Sequence, residues 1–345
     1  AELGDPGVMV QQWLGSNWAE LIAGIVLLLA VLTTAHIVLH KRDSRAAAAW
    51  VGLVWLVPAL GVMLYLLLGI NRIQRRARSL TGGELDAVKG WRVAAEPNHG
   101  FPHWQGMSRL LGQITGWPLT GGNEVEPMQP SEALEAMVAT IENATQSVYL
   151  GTYIFGNDAA GKPLIRALIR AHQRGVVVRV LIDGFGSLYS LPYVGWQLRR
   201  AGVRVERFLY SLAPWRMPYI NLRNHRKLLI VDRAIGFVGG MNIRAGYLGS
   251  VPAIRDTHFR VHGPVVGHFL HSFAADWQFA TGELVDDSYL GPASVGNMLC
   301  RGISAGPDAD FDKRRLVLLA AIGRADVSIR LVTPYFVPDA SLQTA

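Results

Sequence analysis

Two long stretches without Asp, Glu, Lys or Arg open the chain: residues 21–39, LIAGIVLLLAVLTTAHIVL, and residues 46–70, AAAAWVGLVWLVPALGVMLYLLLGI. Each is long enough to cross a hydrocarbon core of about 30 Å as a helix. The pattern predicts two membrane helices, over about 18–40 and 46–70, joined by the polar loop HKRDSR. Trp18 and Trp50 fall near segment ends, where indole favours the interface. Pro58 predicts a kink. A cleaved leader fits poorly, because the second run follows the first so closely. Residues 1–8 precede the first methionine, Met9, and look like a remnant added to the natural chain.

Beyond residue 80 the pattern changes. Residues 81–125 carry little periodicity and are expected to be a connector. Then strand-like and helix-like stretches alternate. SVYLGTYIF (147–155), VVVRVLID (176–183) and VRVERF (203–208) have strand composition. PLIRALIRAHQRG (163–175) and YVGWQLRRAG (193–202) have helical spacing and lie between them. This order predicts an α/β fold with a largely parallel sheet and helices on its faces. KLLIVD and IGFVGG follow as two strands joined by a tight turn at Asp232–Ala234. THFRVHG (257–263) is a further strand, and residues 265–282 form a helix ending at Gly282. SVYLGTYIFGND (147–158) matches SIRLVTPYFVPD (328–339) at an offset of 181. The match predicts a first domain over 126–303 and the start of a second over 304–345, after an anchor over 9–80.

Composition narrows the chemistry. Hydrophobic residues make up 50% of the 345, and the formal net charge is +7. Such a chain suits an anionic partner, either phospholipid headgroups or nucleic acid. Lys41, Arg42 and Arg45 lie between the apolar runs, and Arg72, Arg75, Arg76 and Arg78 follow the second. The count slightly favours a cytoplasmic large domain. The single cysteine, Cys300, excludes an intrachain disulfide and a cysteine metal cluster, and is expected in the core.

The most charged strand entry is RNHRKLLIVD, residues 223–232. Alternation puts His225 and Lys227 on one face and Arg226 on the other. An imidazole beside an ammonium suits phosphate chemistry. Asp232 is five residues beyond Lys227, so in a regular strand it faces away and serves as a structural partner. Gly239 and Gly240 would let backbone approach a ligand closely, and Asn242 can donate to a phosphate oxygen. His258, Arg260 and His262 share one strand face. A solvated face is favoured there over a lipid contact.

The spacing His225, Lys227, Asp232, Gly239-Gly240, Asn242 resembles the HKD motif of the phospholipase D superfamily. NHRKLLIVD, FVGGMNI, RDTHFRVHGP, DWQFATGE and TPYFVPD resemble segments of bacterial cardiolipin synthases, which also carry two N-terminal membrane helices. The resemblance implies a phospholipase D-like mixed sheet flanked by helices and preceded by two transmembrane helices. It implies a phosphatidyltransferase of the bacterial inner membrane, multi-pass, acting on phosphatidylglycerol through a phosphohistidine, with no metal and no cofactor. It places His225, Lys227, Asp232 and Asn242 in the catalytic set, and Asp256 as the acid that orients His225. It also implies a second HKD histidine, whose position at the same offset falls beyond residue 345. Two explanations are a longer natural chain, which is favoured, and a homodimer; either way the present chain is expected to be inactive as a monomer. The alternatives are a lipid-hydrolysing phospholipase D, a nucleic-acid phosphodiesterase and a non-catalytic lipid binder. The membrane helices argue against nucleic acid.

Overall fold

The computed structural model describes residues 6–41, 44–70, 102–210, 223–249, 254–287, 294–304, 311–333, 338 and 340–344. The chain forms two compact units, the first comprising its N-terminal 72 residues and the second most of the remainder. The predicted basic positions Arg42, Arg72, Arg75, Arg76 and Arg78 lie outside the described residues.

In the first unit, α1 (Pro6–His40) is one unbroken helix that includes residues 6–8. Its Asn17–His40 portion is long and apolar enough to cross a membrane. The second apolar run is interrupted at Pro58, where the kink was expected, and its two parts are separate short helices. It forms α2 (Ser44–Leu56), a break at Val57, then α3 (Pro58–Leu64) and a π-turn at Tyr65–Gly69. Pro58 pushes Val57 to φ −137° and ψ 76°, outside the helical region. Gly61 then tolerates the bend, since a Cβ there would lie 2.6 Å from the Leu53 carbonyl oxygen. Ala30, Ile37, Val54, Val62 and Tyr65 pack together between the helices. Side-chain bonds pin them: His36 Nδ1 to Tyr65 Oη at 2.9 Å, and Trp55 Nε1 donating to Thr34 Oγ1 at 3.1 Å. Trp50 meets Tyr65 edge-on within this core, while Trp18 is exposed.

The second unit is a mixed sheet covered on both faces. Its helices are α4 (Pro102–Thr115), α5 (Pro130–Glu142), α6 (Gly161–Gln173), α7 (Val194–Arg200) and α8 (Val266–Thr281), then α9 (Phe311–Ile322) and α10 (Ala340–Thr344). Its strands are β1 (Thr120–Met128), β2 (Ser147–Thr152), β3 (Val177–Asp183), β4 (Arg204–Phe208), β5 (Leu228–Val231), β6 (Ile235–Gly239), β7 (His258–His262) and β8 (Met298–Cys300). The strand order is β4-β3-β2-β5-β6-β7-β1-β8. The pairs β2–β3 and β3–β4 are parallel, and the rest are antiparallel.

Alternation explains the two-sided core. Val148, Leu150, Leu229 and Val231 join a cluster with Leu164 and Leu168 of α6 and Ile141 of α5. Tyr149, Ile230 and Leu181 point the other way, into a cluster with Leu270, Phe273 and Trp277 of α8. Burial on both faces is why these strands read as near-continuous apolar runs. Each fully buried large side chain contributes about 1.5–3 kcal/mol. Gly282 stops α8 with φ 78°. Cys300 is half-buried against the second cluster.

Two regions depart from expectation. The sheet already includes Thr120, ahead of the boundary expected at 126, and α4 forms inside the stretch read as a connector. Residues 328–333, expected to open a second domain as a strand, belong to no strand, and Val332 is fully exposed. Residues 334–337 and 339 of that same predicted strand lie outside the described residues.

Candidate active site

One end of the sheet collects the chemistry. Because β2, β3, β4 and β6 run one way and β5 and β7 the other, the carboxyl ends of the first four meet the amino ends of the last two. Tyr153 follows β2, Asp183 ends β3, Asn242 follows β6, and His225, Lys227 and Asp256 precede β5 and β7. Ligand sites of open α/β sheets form at such ends.

His225 is solvent-exposed on one side and stacks on Tyr153 on the other, with ring centroids 4.3 Å apart. Partial burial lowers its pKa from the ordinary value, and the charges of Lys227 and Arg223 lower it further against the pull of Asp183. Lys227 Nζ donates to the His225 carbonyl oxygen at 2.7 Å and lies 5.5 Å from the Tyr153 ring centroid. Burial pushes its pKa down to about 8, opposed by Asp256 and Asp183. Arg226 turns the other way, as alternation requires. It pairs with Asp276 of α8 and donates to Ser304 Oγ at 2.7 Å.

Asp183 is a residue that sequence reasoning missed. It is 1% exposed and fully engaged. Its Oδ1 accepts from the amides of Phe185 and Gly186 at 2.9 and 3.1 Å, and its Oδ2 accepts from the Asn224 amide at 2.9 Å. Asn224 in turn donates from Nδ2 to Asp276 Oδ2 at 2.7 Å. These bonds set the backbone that presents His225. A carboxylate closing a parallel strand was the available signal. Tyr153 was missed as well.

Asp232 is far from this end. Its Oδ2 accepts from the Thr145 amide and hydroxyl at 2.8 and 2.9 Å, and its Oδ1 from the amides of Gln146 and Ser147 at 2.7 and 2.9 Å. The residue has φ 50° in the β5–β6 turn and ties that turn to the entry of β2. Burial raises its pKa, but the bonds from Ser147, Thr145 and Gln146 outweigh this and hold it low. Strand parity turns Asp232 away from His225, and its carboxylate is occupied by the entry of β2.

The two glycines are required by close packing against the start of β7. A Cβ on Gly239 would lie 2.3 Å from His258 Nδ1, and one on Gly240 would lie 2.8 Å from Asp256 Oδ2. Their bareness lets the start of β7 close on the loop after β6. His258 is accordingly buried, at 2% exposure, rather than on a solvated face. Burial lowers its pKa to about 4, and its Nδ1 has no partner among the described residues. It lines a small cavity with Lys227, Thr152, Met137, Leu150 and Met241. Arg260, on the same strand, is exposed and pairs with its cross-strand neighbour Glu126 at 2.5 Å.

Asp256 touches Gly240, and its Oδ1 accepts from the Thr257 amide at 2.8 Å. It makes no hydrogen bond to His225 among the described residues, and acts electrostatically on Lys227. Asn242 accepts at Oδ1 from the amide of Ile154, the residue after Tyr153, at 3.3 Å, leaving Nδ2 as a donor. Among the described residues no cluster of three or more His, Cys, Asp or Glu gathers at metal-binding distance.

A polarised histidine and a half-buried lysine at the carboxyl end of a mixed sheet define a phospholipase D-like domain, and comparison with known proteins agrees. Residues 137–277 match the family model described as cardiolipin synthase, PLD-like domain, and residues 28–69 match that described as phospholipase D-nuclease N-terminal. Cardiolipin synthase A of Pseudomonas putida is 30% identical, over 94% of this chain and 70% of that protein. Cardiolipin synthase of Geobacillus kaustophilus is 32% identical, over 89% of this chain and 64% of that protein. Among solved structures, the phospholipase D family member Nuc from Salmonella typhimurium is 18% identical, covering 47% of this chain and 97% of that one at a TM-score of 0.36. The chain belongs to the cardiolipin synthase family.

Proposed function

We propose that this chain carries out phosphatidyl transfer between two phosphatidylglycerol molecules, giving cardiolipin and glycerol. The observation that carries this is the convergence of His225, Lys227 and Asn242 at one sheet end, within a family of lipid phosphatidyltransferases. The neutral His225 imidazole attacks the lipid phosphorus. A P–N bond forms, the P–O bond to glycerol breaks, and the glycerol oxygen takes a proton. The hydroxyl of a second phosphatidylglycerol then attacks, loses its proton, and restores a P–O bond as P–N breaks. Diester is exchanged for diester, so no nucleotide is consumed. Lys227 and Asn242 Nδ2 stabilise charge on the non-bridging oxygens. Asp183 holds the His225 backbone, and Asp256 keeps Lys227 charged.

Protonating the leaving alcohol calls for a second imidazole. These 345 residues contain one His-x-Lys-x4-Asp motif, so the second comes from another copy or another segment. In this reading α1 and the kinked α2–α3 rod form a hairpin in the bacterial inner membrane, with the catalytic domain on the cytoplasmic side. The solvent-exposed face of His225 supports a second reading, hydrolysis to phosphatidic acid. Labelled phosphatidylglycerol in nanodiscs decides between them. The expected result is cardiolipin and glycerol, with acid-labile phosphate trapped on the wild-type chain and absent from His225→Ala. Phosphatidic acid alone would favour hydrolysis. Turnover by His225→Ala would refute the nucleophile.

A further inference from the structure

The segment that follows β3 exposes large apolar side chains and is tied to the residues that hold His225. Leu188, Tyr189, Leu191 and Trp196 are 57%, 60%, 85% and 55% exposed, and Phe185 is also open. They belong to a short 3-10 turn, a loop and the first turn of α7, so they protrude instead of forming a flat face. The segment is tied to the reaction centre at three points. Asp183 accepts from the amides of Phe185 and Gly186 with one oxygen and from that of Asn224 with the other. Arg223 lies 4.7 Å over the Phe185 ring. Gly186 sits directly on the Tyr153 backbone, where a Cβ would be 1.7 Å from the carbonyl oxygen, and Tyr153 is the ring on which His225 stacks.

Basic charge predominates around this apolar tip, where the partly exposed Glu206 near Tyr193 is already paired with Arg199. Arg200, Arg207 and Arg223 have no carboxylate partner among the described residues. Arg200 shares an exposed helix face with Trp196, four positions earlier. Arg207 stacks over Tyr193 and Tyr210 at 4.8 and 3.5 Å. Asp183, the carboxylate in contact with the segment's start, is buried and saturated by amides. Protruding leucines, interfacial Trp and Tyr, and unpaired arginines together fit the boundary between acyl chains and anionic headgroups.

We propose that Phe185–Trp196 is the surface by which the catalytic domain seats on an anionic lipid bilayer, bringing His225 to headgroup depth. The proposal deepens the lipid reading above, which explains why such a surface adjoins the nucleophile. Its test does not need turnover. The full chain, with Cys300→Ser, is given one labelling site by Leu191→Cys or, at the opposite end of the sheet, by Val177→Cys. An environment-sensitive fluorophore is attached and the protein placed in nanodiscs. In phosphatidylglycerol nanodiscs the probe at 191 should brighten roughly threefold, shift to the blue and be quenched by brominated acyl chains, while the probe at 177 stays aqueous. Phosphatidylcholine discs, or Arg200→Glu, should cut the response at 191. A probe at 191 that stays aqueous in anionic discs overturns the proposal. So does one shielded equally in lipid-free detergent, which would mark a second copy or another protein segment as the occupant. Insertion without lipid conversion would leave the docking surface standing; conversion without insertion would sink the docking surface and leave the transfer reading standing.

Discussion

Replacing Asp232 by Asn should destabilise the catalytic domain without touching its chemistry. The carboxylate accepts four hydrogen bonds, from the amides of Thr145, Gln146 and Ser147 and the Thr145 hydroxyl. Asn keeps one acceptor oxygen and presents an NH2 group to donors on the other side, so two bonds are lost and replaced by donor–donor opposition. Bonds to a charged group contribute about 1.5–3 kcal/mol each. Solvent reaches this half-buried site, so a net loss of about 2–3 kcal/mol is expected. Asn tolerates the φ of 50° as well as Asp does, so backbone strain does not confuse the comparison. In a domain of this size the loss corresponds to a fall in Tm of roughly 4–12 °C. The pH dependence checks the cause. The folded-state pKa is depressed, so the stabilisation is present above the unfolded value near 3.8 and disappears as pH falls through the lower folded value. The Tm gap between wild type and Asp232→Asn should therefore be constant near neutrality and close in strong acid. Equal melting at pH 7 would refute the assignment, as would faster exchange of amides elsewhere with those of residues 145–147 unchanged.

Lys227→Met should abolish transfer yet raise stability by about 1–3 kcal/mol, because it relieves the burial that depresses the ammonium from 10.5 to about 8; a lower Tm would contradict this. Asp256→Asn should leave the Tm within about 1 °C, since Asn still accepts from Thr257, but should lower the Lys227 pKa and so move the alkaline limb of the rate profile to lower pH. His258 is held neutral in the fold, with its pKa near 4, so its contribution to stability is present above about 6.5 and is lost as pH falls toward 4. The Tm of His258→Leu should be less sensitive than wild type across that range, and parallel curves would count against it.

Elements buried on both faces were the legible ones. The runs at 147–152, 177–183 and 228–231 are apolar because helices cover both sides of them, and the helical spacing at 161–173 is equally plain. β1 was not legible, because TGGNEVEPM carries two glycines, an asparagine and a proline and is ordered by pairing with β7 and β8. The second apolar run gave its length and, through Pro58, the place of its bend; how far Val57 turns ahead of Pro58 is visible only in the fold. At the site, strand parity separated Asp232 and Arg226 from His225. Parity also grouped His258 with Arg260, and there it misled. Whether a histidine on that face is buried depends on the residue across the ladder, and Gly239 supplies no side chain to hold it out. Asp183 and Tyr153 lie on other strands, so their meeting with His225 follows from strand order, which no local pattern contains.

The protonation states at this sheet end fix a working range for the chemistry. The nucleophile must be neutral, and burial with the Lys227 and Arg223 charges holds His225 below its ordinary value, so it is already neutral near pH 7. Lys227 must be charged, and with a pKa of about 8 about nine-tenths of it is charged at pH 7 and about one-tenth at pH 9. The burial that frees the histidine thus brings the lysine close to discharge. Formation of acid-labile phosphate on His225 should rise along an acid limb whose midpoint lies below the ordinary histidine value, and fall about tenfold per unit above pH 8. A second imidazole acting as acid would also give a falling limb, but one set near the ordinary histidine value. Lys227→Arg separates the two, because guanidinium stays charged throughout. If the limb near pH 8 belongs to Lys227, it should vanish in that variant while the acid limb stays in place. A limb that persists unchanged in Lys227→Arg would assign it to another group and remove Lys227 from the charge-stabilising role.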